Sequence, residues 1–157
     1  MVRLPCNIAS EDRVEPILGH ALETMKAAGR RLTRPLRLVI ETLARSNAPL
    51  GAYEIRDTLK GQGKSVDVVT VYRILSELEE TGLAHKVGGK KDGYVLCTIS
   101  RAEPHPAMHL VCSSCGCAEE VPVPRSALGE ILTQAGRHGF ETELAAVSLS
   151  GLCTHCR

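Results

Sequence analysis

Cys112-Ser113-Ser114-Cys115 and Cys153-Thr154-His155-Cys156 are two CxxC pairs with 37 residues between them. A two-residue spacer lets both sulfurs of a pair turn toward one ion, and two pairs complete a tetrahedron of thiolates. Four protein ligands leave the ion no open position, so the pattern predicts a structural zinc site rather than a catalytic one. Four ordinary buried cysteines, or two disulfides, are the alternative, but scattered cysteines rarely fall into two matched pairs. A thioredoxin-type CxxC would stand once, at a helix start in a βαβ unit, whereas each of these pairs follows an apolar run. Any fold open to this chain must therefore bring residues 112–115 against residues 153–156.

The rest of the chain has room for one domain or two small ones: 157 residues, 43% of them hydrophobic. Aromatic residues make up only 3%, with one Phe and no Trp, so the expected core is aliphatic. No apolar run reaches membrane-spanning length and no apolar stretch of signal-peptide type opens the sequence, which predicts a cytoplasmic location. In that reducing compartment seven cysteines point to metal rather than disulfides. The net charge of +1 conceals an asymmetry. Residues 1–102 hold 16 Lys and Arg against 12 Asp and Glu, and residues 103–157 hold 3 against 6. The first part is the one expected to meet a polyanion, although such a bias is also common in proteins that bind none.

Residues 1–14 lack periodicity and read as a flexible leader. Ile17, Leu18, Ala21, Leu22 and Met25 recur at helical spacing up to Gly29. Five cations and no acid lie between Lys26 and Arg37. Thr33 followed by Pro35 marks a second helix start, with Leu36, Val39, Ile40 and Leu43 as its buried stripe. A third helix over Gly51 to Leu59 buries Ala52, Ile55 and Leu59. In the fourth, Val71, Ile74, Leu75 and Leu78 occupy i, i+3, i+4 and i+7, with Asp67 as N-cap and Gly82 as the stop. Short strands over Leu83–Val87 and Tyr94–Ile99 enclose a Gly-rich tip carrying Lys90 and Lys91. Three helices, a fourth with polar residues outward, then a hairpin: this is a winged helix-turn-helix layout. The expected class is α+β, with a winged-helix domain over 15–100, a hinge over 101–107 marked by Pro104 and Pro106, and a small α/β domain over 108–157. In that second domain the first CxxC joins two strands, Arg125 to His138 is helical with Leu128, Ile131 and Leu132 inward, and Phe140–Leu149 is mostly extended. About fifty residues is near the size at which a structural metal is needed.

In a helix-turn-helix the N-terminal half of the second helix meets base edges and phosphates. Thr70, Tyr72 and Arg73 stand there; Arg can fork onto guanine or clamp a phosphate, and Tyr can pack a thymine methyl. Periodicity is equally satisfied by an ordinary solvated helix face. Thr70-Val71-Tyr72-Arg73, followed by Leu75 and by Glu79-Glu80-Thr81-Gly82-Leu83, resembles the recognition-helix signature of the ferric uptake regulator family of metal-dependent repressors. Gly51-Ala52-Tyr53-Glu54, Ala84-His85-Lys86-Val87 and Tyr94-Val95-Leu96-Cys97 look most like its zinc-sensing branch, the zinc uptake regulators. The resemblance spans about residues 17 to 156, with both CxxC pairs in register. It implies a homodimer formed through the second domain, a palindromic DNA operator in genes of zinc uptake, and zinc as co-repressor. It also implies that Tyr53 faces DNA with Tyr72 and Arg73, and that Asp57 and Lys60 pair between two dimers on one operator.

The same resemblance marks His85, Cys97, His105 and Glu120, one by one, as a regulatory zinc site. Their chemistry agrees. Two neutral imidazoles, a thiolate and a carboxylate balance Zn²⁺, whereas four thiolates leave −2, and a thiolate disfavours Mg or Mn. Taken singly, each has an ordinary reading as a surface histidine, a buried strand cysteine or a solvated acid. His109 is a rival ligand, at a position where other members of the family keep part of a nitrogen- and oxygen-rich site. His20, His138 and His155 read as surface or structural residues, and Cys6 and Cys117 as unassigned thiols. The chain departs from the family at Leu36, where Arg is frequent, so Arg34 or Arg37 is expected to take over the phosphate contact. It has no histidine between Leu38 and Ala84, and Leu144 and Ala145 occupy the region of a third-site histidine. These departures weigh against iron and peroxide sensing; an iron- or manganese-responsive repressor is the alternative. A zinc deaminase would need His-x-Glu and Pro-Cys-x-x-Cys, and neither occurs.

Overall fold

The computed structural model of the chain describes residues 11–88, 92–98, 105–142 and 146–157. Lys90 and Lys91, Pro104 and most of the expected hinge, Leu144 and Ala145, and Cys6 lie outside them. Four helices come first: α1 (Glu11–Ala27), α2 (Arg34–Ala44), α3 (Ala52–Gly61) and α4 (Val68–Glu80). The hairpin strands β1 (Ala84–Val87) and β2 (Gly93–Leu96) follow. A second sheet contains β3 (Ala107–Cys112), β4 (Ala118–Pro122) and β5 (Val147–Gly151), with α5 (Arg125–Arg137) between the last two.

Local chemistry starts the helices where the sequence reading expects. Thr33 accepts a hydrogen bond from the Leu36 N–H at 3.3 Å and Pro35 sits in the first turn of α2. Asp67 accepts from the Thr70 N–H at 2.9 Å at the head of α4. Glu54 reaches back to the Gly51 N–H at 2.9 Å before α3. Helix α1 differs: it begins at Glu11, not near Ile17, because Val14 is buried and extends the Leu18, Ala21, Met25 stripe one turn backward. That backward turn places part of the expected leader in a helix. Pro16 lies within it.

The stripes of α1 to α4 meet in one aliphatic core. Met25, Val39, Ile40, Ile55, Leu59, Val71, Leu75 and Leu78 are completely or almost completely enclosed. Each such side chain contributes roughly 1.5–3 kcal/mol relative to exposure. The hairpin is fastened to this core from below. Leu50 and Tyr94 exchange backbone hydrogen bonds of 3.0 and 2.9 Å, so the turn between α2 and α3 acts as a third strand against β2. Gly93 permits the approach, since a Cβ there would lie 2.8 Å from the Pro49 and Leu50 backbone.

In the second sheet β3 is central, antiparallel to β4 and parallel to β5, with His109 opposite both Glu120 and Ser148. Here an expectation fails. Leu128 and Leu132 of α5 are only half-buried, Ile131 is 47% exposed, and the helix has no buried residue. Its apolar stripe is real but no described part of the chain covers it. Leu110, Leu149 and Leu152 are exposed as well.

Candidate metal centres and recognition surface

The turn after β3 and the turn after β5 bring the two CxxC pairs together because β5 lies parallel to β3 in register, with Gly151 beside Cys112. The Ser113 N–H donates to the Gly151 carbonyl at 2.8 Å and aligns the two turns. The Sγ atoms of Cys112, Cys115, Cys153 and Cys156 all lie within 4.8 Å of one another, with Cys115 and Cys153 3.9 Å apart. Bonds of ~2.3 Å from sulfur to a tetrahedral zinc span an edge of ~3.8 Å, so the spacing fits. The charges fit too. Backbone N–H groups of Cys115 and Cys153 hold the Cys112 thiol down to about 5. At Cys156 the Ser114 hydroxyl favours the thiolate, but the crowd of neighbouring sulfurs outweighs it and pushes the thiol up to about 12. Four thiolates this close repel one another, and a cation among them would offset that repulsion.

The second cluster draws one residue from each of four places. His85 is on β1, Cys97 follows β2, His105 precedes β3 and Glu120 is on β4. Cys97 Sγ is 3.4 Å from His105 Nε2 and 3.6 Å from Glu120 Oε1, and Glu120 Oε1 is 3.2 Å from His85 Nε2 and 3.5 Å from His105 Nε2. A tetrahedron on ~2.1 Å bonds has edges of ~3.4 Å, in the middle of that range. His85 Nε2 is buried and, though close to Glu120, is not aligned for a hydrogen bond with it. A buried ring nitrogen without a hydrogen-bond partner among the described residues is suited to a metal. Burial alone would raise the Glu120 carboxyl; the adjoining His85 ring and the Thr98 N–H outweigh it and hold the group down to about 2. Its ionised form is therefore the one the fold supports.

Sequence reasoning missed two contacts here. Thr98 donates to Glu120 Oε2 from its backbone N–H at 2.6 Å and its hydroxyl at 3.1 Å. The Ala118 N–H donates to the Asn47 carbonyl at 2.8 Å, joining edge strand β4 to the turn below the hairpin. Backbone pairing between distant segments leaves no pattern in a single sequence; only the adjacency of Thr98 to Cys97 offered a signal. His109 lies beside the second cluster. It is fully enclosed, its ring centroid is 5.6 Å from that of His85, and neither ring nitrogen has a hydrogen-bond partner among the described residues. Desolvation lowers its pKa, against the opposing pull of Glu120.

Helices α3 and α4 present a joint surface. Tyr53 and Tyr72 are 55% and 48% exposed and meet edge to face at 6.3 Å, and Arg73 is exposed beside them. Thr70 does not stand with them. It is half-buried, and its hydroxyl donates to the Asp67 carboxylate at 2.6 Å, which makes it part of the helix cap. Val69, 74% exposed, takes the outward place at that turn. Arg34 and Arg37, in the first turn of α2, are exposed, while Arg30 ahead of the helix is engaged with Glu80 at 2.7 Å. Asp57 and Lys60 both face solvent on α3.

The family model of the ferric uptake regulators matches residues 27–150. The ferric uptake regulation protein of Legionella pneumophila is 32% identical over 143 residues, covering 86% of this chain and 97% of that protein. The zinc uptake regulation protein of Mycobacterium tuberculosis is 30% identical over 135 residues, covering 85% and 99%. Among solved structures, a zinc uptake regulator complexed with zinc and DNA superposes with a TM-score of 0.79 at 26% identity, covering 91% of this chain and 94% of that one. The holo form of XcZur superposes at 0.73 and its apo form at 0.52, each at 26% identity. No helix among the described residues is long and apolar enough to cross a membrane. By the family match and by relatives aligned over nearly their whole length, the chain belongs to the ferric uptake regulator family, whose members are metal-responsive transcription regulators and not enzymes.

Proposed function

We propose that this chain is a cytoplasmic, zinc-responsive repressor that binds palindromic operator DNA as a homodimer and controls genes of zinc uptake. The observation that carries this reading is the mixed cluster of His85, Cys97, His105 and Glu120. Two of its ligands come from the winged-helix unit, one from the residues leading into β3 and one from β4, so an ion held there ties the hairpin to the second sheet. One thiolate among two imidazoles and a carboxylate favours zinc over harder divalent ions. The chain then holds two zinc ions, the second in the cluster of Cys112, Cys115, Cys153 and Cys156. The uncovered stripe of α5 and the exposed Leu149 and Leu152 support a dimer through the second domain, over 108–157. The winged-helix domain over 15–100 would present Tyr53, Tyr72 and Arg73 to DNA, with Thr70 shaping the helix start, and residues 101–107 would serve as hinge.

A two-fold dimer reads half-sites about one helical turn, ~34 Å, apart. His85 and Cys97, drawn to His105 and Glu120, limit the angles open to the two recognition helices. Shifting such an ensemble from mostly incompetent to mostly competent takes roughly 5 kcal/mol of differential affinity, within the ~10 kcal/mol that structural zinc sites reach. The second reading, an iron- or manganese-responsive repressor, draws on His109: its buried, unpartnered ring nitrogens offer a nitrogen ligand beside His85 and Glu120. Metal analysis of the purified protein with operator gel shifts, run with zinc added and chelated, separates the two. Two zincs per chain and zinc-dependent retardation support the proposal. Retardation restored by iron or manganese but not zinc overturns it in favour of the second. Footprint length and stoichiometry on a natural operator test whether two dimers bind side by side through Asp57 and Lys60.

A further inference from the structure

Residues 53, 56, 57 and 60 share one face of α3, being three, four and seven apart. Arg56 does two things on that face. Its Nε and an Nη atom donate to Asp57 Oδ1 at 2.8 and 2.6 Å, and its guanidinium carbon lies 5.0 Å from the centre of the Tyr53 ring. Tyr53 in turn packs edge to face against Tyr72 of the recognition helix, with centroids 6.3 Å apart and planes at 84°. The contacts form a line, Asp57 to Arg56 to Tyr53 to Tyr72, that crosses from the first helix of the helix-turn-helix to the second.

We propose that Arg56 is a positioning residue for DNA recognition: clamped by Asp57, it fixes the Tyr53 ring and through it the Tyr72 side chain. This inference rests on the reading that α4 meets DNA, and deepens it. The physical need is clear from exposure. Tyr53 and Tyr72 are about half open to solvent, and an aromatic side chain on a surface must be immobilised when it docks. An arginine stacked on one ring, with a carboxylate fixing its fork, holds that ring before DNA arrives. The same carboxylate offsets the arginine charge, so Arg56 differs from an exposed cation kept for a phosphate.

The experiment measures operator affinity of the metal-loaded dimer against salt concentration for the wild type, Arg56→Ala, Arg56→Lys, Tyr53→Ala and the Arg56→Ala/Tyr53→Ala double variant. It also records the tyrosine ring signals by NMR without DNA, which three tyrosines make tractable. The expected result for Arg56→Ala is an affinity loss of about two- to fivefold, the scale of an exposed cation–π contact, with the salt slope unchanged. In the Tyr53→Ala background the same change has no further effect, because Arg56 acts through that ring. Arg56→Lys fails to restore binding, since an ammonium cannot both fork to Asp57 and stack on the ring. The Tyr53 and Tyr72 signals of Arg56→Ala shift or lose order before any DNA is added. A salt slope shallower by about one, with Lys restoring affinity, would make Arg56 a phosphate contact and overturn the inference. Ring signals unchanged from wild type overturn it as well. A wild-type chain that retards no operator under any metal condition overturns the function reading itself, a failure visible before any variant is compared.

Discussion

The two ligand clusters are built on opposite plans. Cys112, Cys115, Cys153 and Cys156 come from two turns of one sheet, each turn supplying ligands at i and i+3, and the parallel pairing of β3 and β5 brings the turns together. His85, Cys97, His105 and Glu120 come one apiece from four separate places, and close only when the hairpin of the first unit meets the second sheet. One arrangement can bind an ion whatever the rest of the molecule does. The other depends on where the two units stand. On the proposed function that division has a use: the local cluster would fasten the molecule and the distributed one would report the metal.

Removing a ligand from each cluster tests the division most severely. Cys112→Ser strikes a site of the kind that contributes on the order of 10 kcal/mol to folding. The small second sheet, with an uncovered helix and an aliphatic rim, has no comparable reserve. The expected outcome is loss of one zinc and of the dimer, seen together by metal analysis and analytical ultracentrifugation. A stable dimer with both ions retained would erase the contrast between the clusters. Cys97→Ser should do the reverse. The dimer, its helicity and its first zinc persist, while zinc-dependent operator affinity falls by on the order of a hundredfold or more. An unaltered zinc response would mean that the ion in the mixed cluster, if any, does not govern binding.

The contrast also explains what could be read from the chain. The i, i+3 spacing of each CxxC is a property of a few consecutive residues, and so is the stripe Val71, Ile74, Leu75, Leu78, which lies buried on α4. The mixed site had no such spacing, and its four residues stood out through resemblance to the family rather than through pattern. The earlier start of α1 was hidden because Val14 is isolated from the next apolar residue until the helix is wound. Leu128, Ile131 and Leu132 show the converse limit. Periodicity identified their stripe but says nothing of whether its cover lies within the chain, and no described segment provides one. Thr70, on the polar side of α4 by spacing, is half-buried and lends its hydroxyl to the Asp67 cap, a pairing that periodicity does not show.

Acid titration sharpens the comparison at the level of one carboxylate. The Glu120 carboxyl falls from 4.5 to about 2 in the fold, so the folded state favours its ionised form. Its contribution is complete above pH 4.5 and is lost progressively as pH falls toward 2. In metal-free protein the junction between hairpin and second sheet should therefore hold at pH 5 and open below 4.5, with Glu120→Gln flattening the dependence. Fluorescent labels on the two units would follow the opening. A junction that opens only with global unfolding would show that Glu120 does not hold the units together without metal.

The smallest effect belongs to Thr98, which touches the mixed cluster without entering it. Its hydroxyl donates to Glu120 Oε2 at 3.1 Å, while its backbone N–H donates to the same oxygen at 2.6 Å. Thr98→Val keeps the shape and the backbone bond and deletes the hydroxyl alone. One hydrogen bond to a charged acceptor at an exposed site contributes roughly 0.5–1.5 kcal/mol, so metal affinity at the mixed cluster should weaken about two- to tenfold. The four-cysteine cluster should be untouched. Competition titration against a chelator of known affinity resolves the two sites, because the stronger one stays loaded. Equal weakening at both would mean that the clusters communicate through β3 and β4, which carry Cys112 and Glu120 on neighbouring strands. Weakening confined to the mixed site would establish that hydrogen bonding across the junction sets its affinity, and that the hairpin tunes the sensor while leaving the fastener alone.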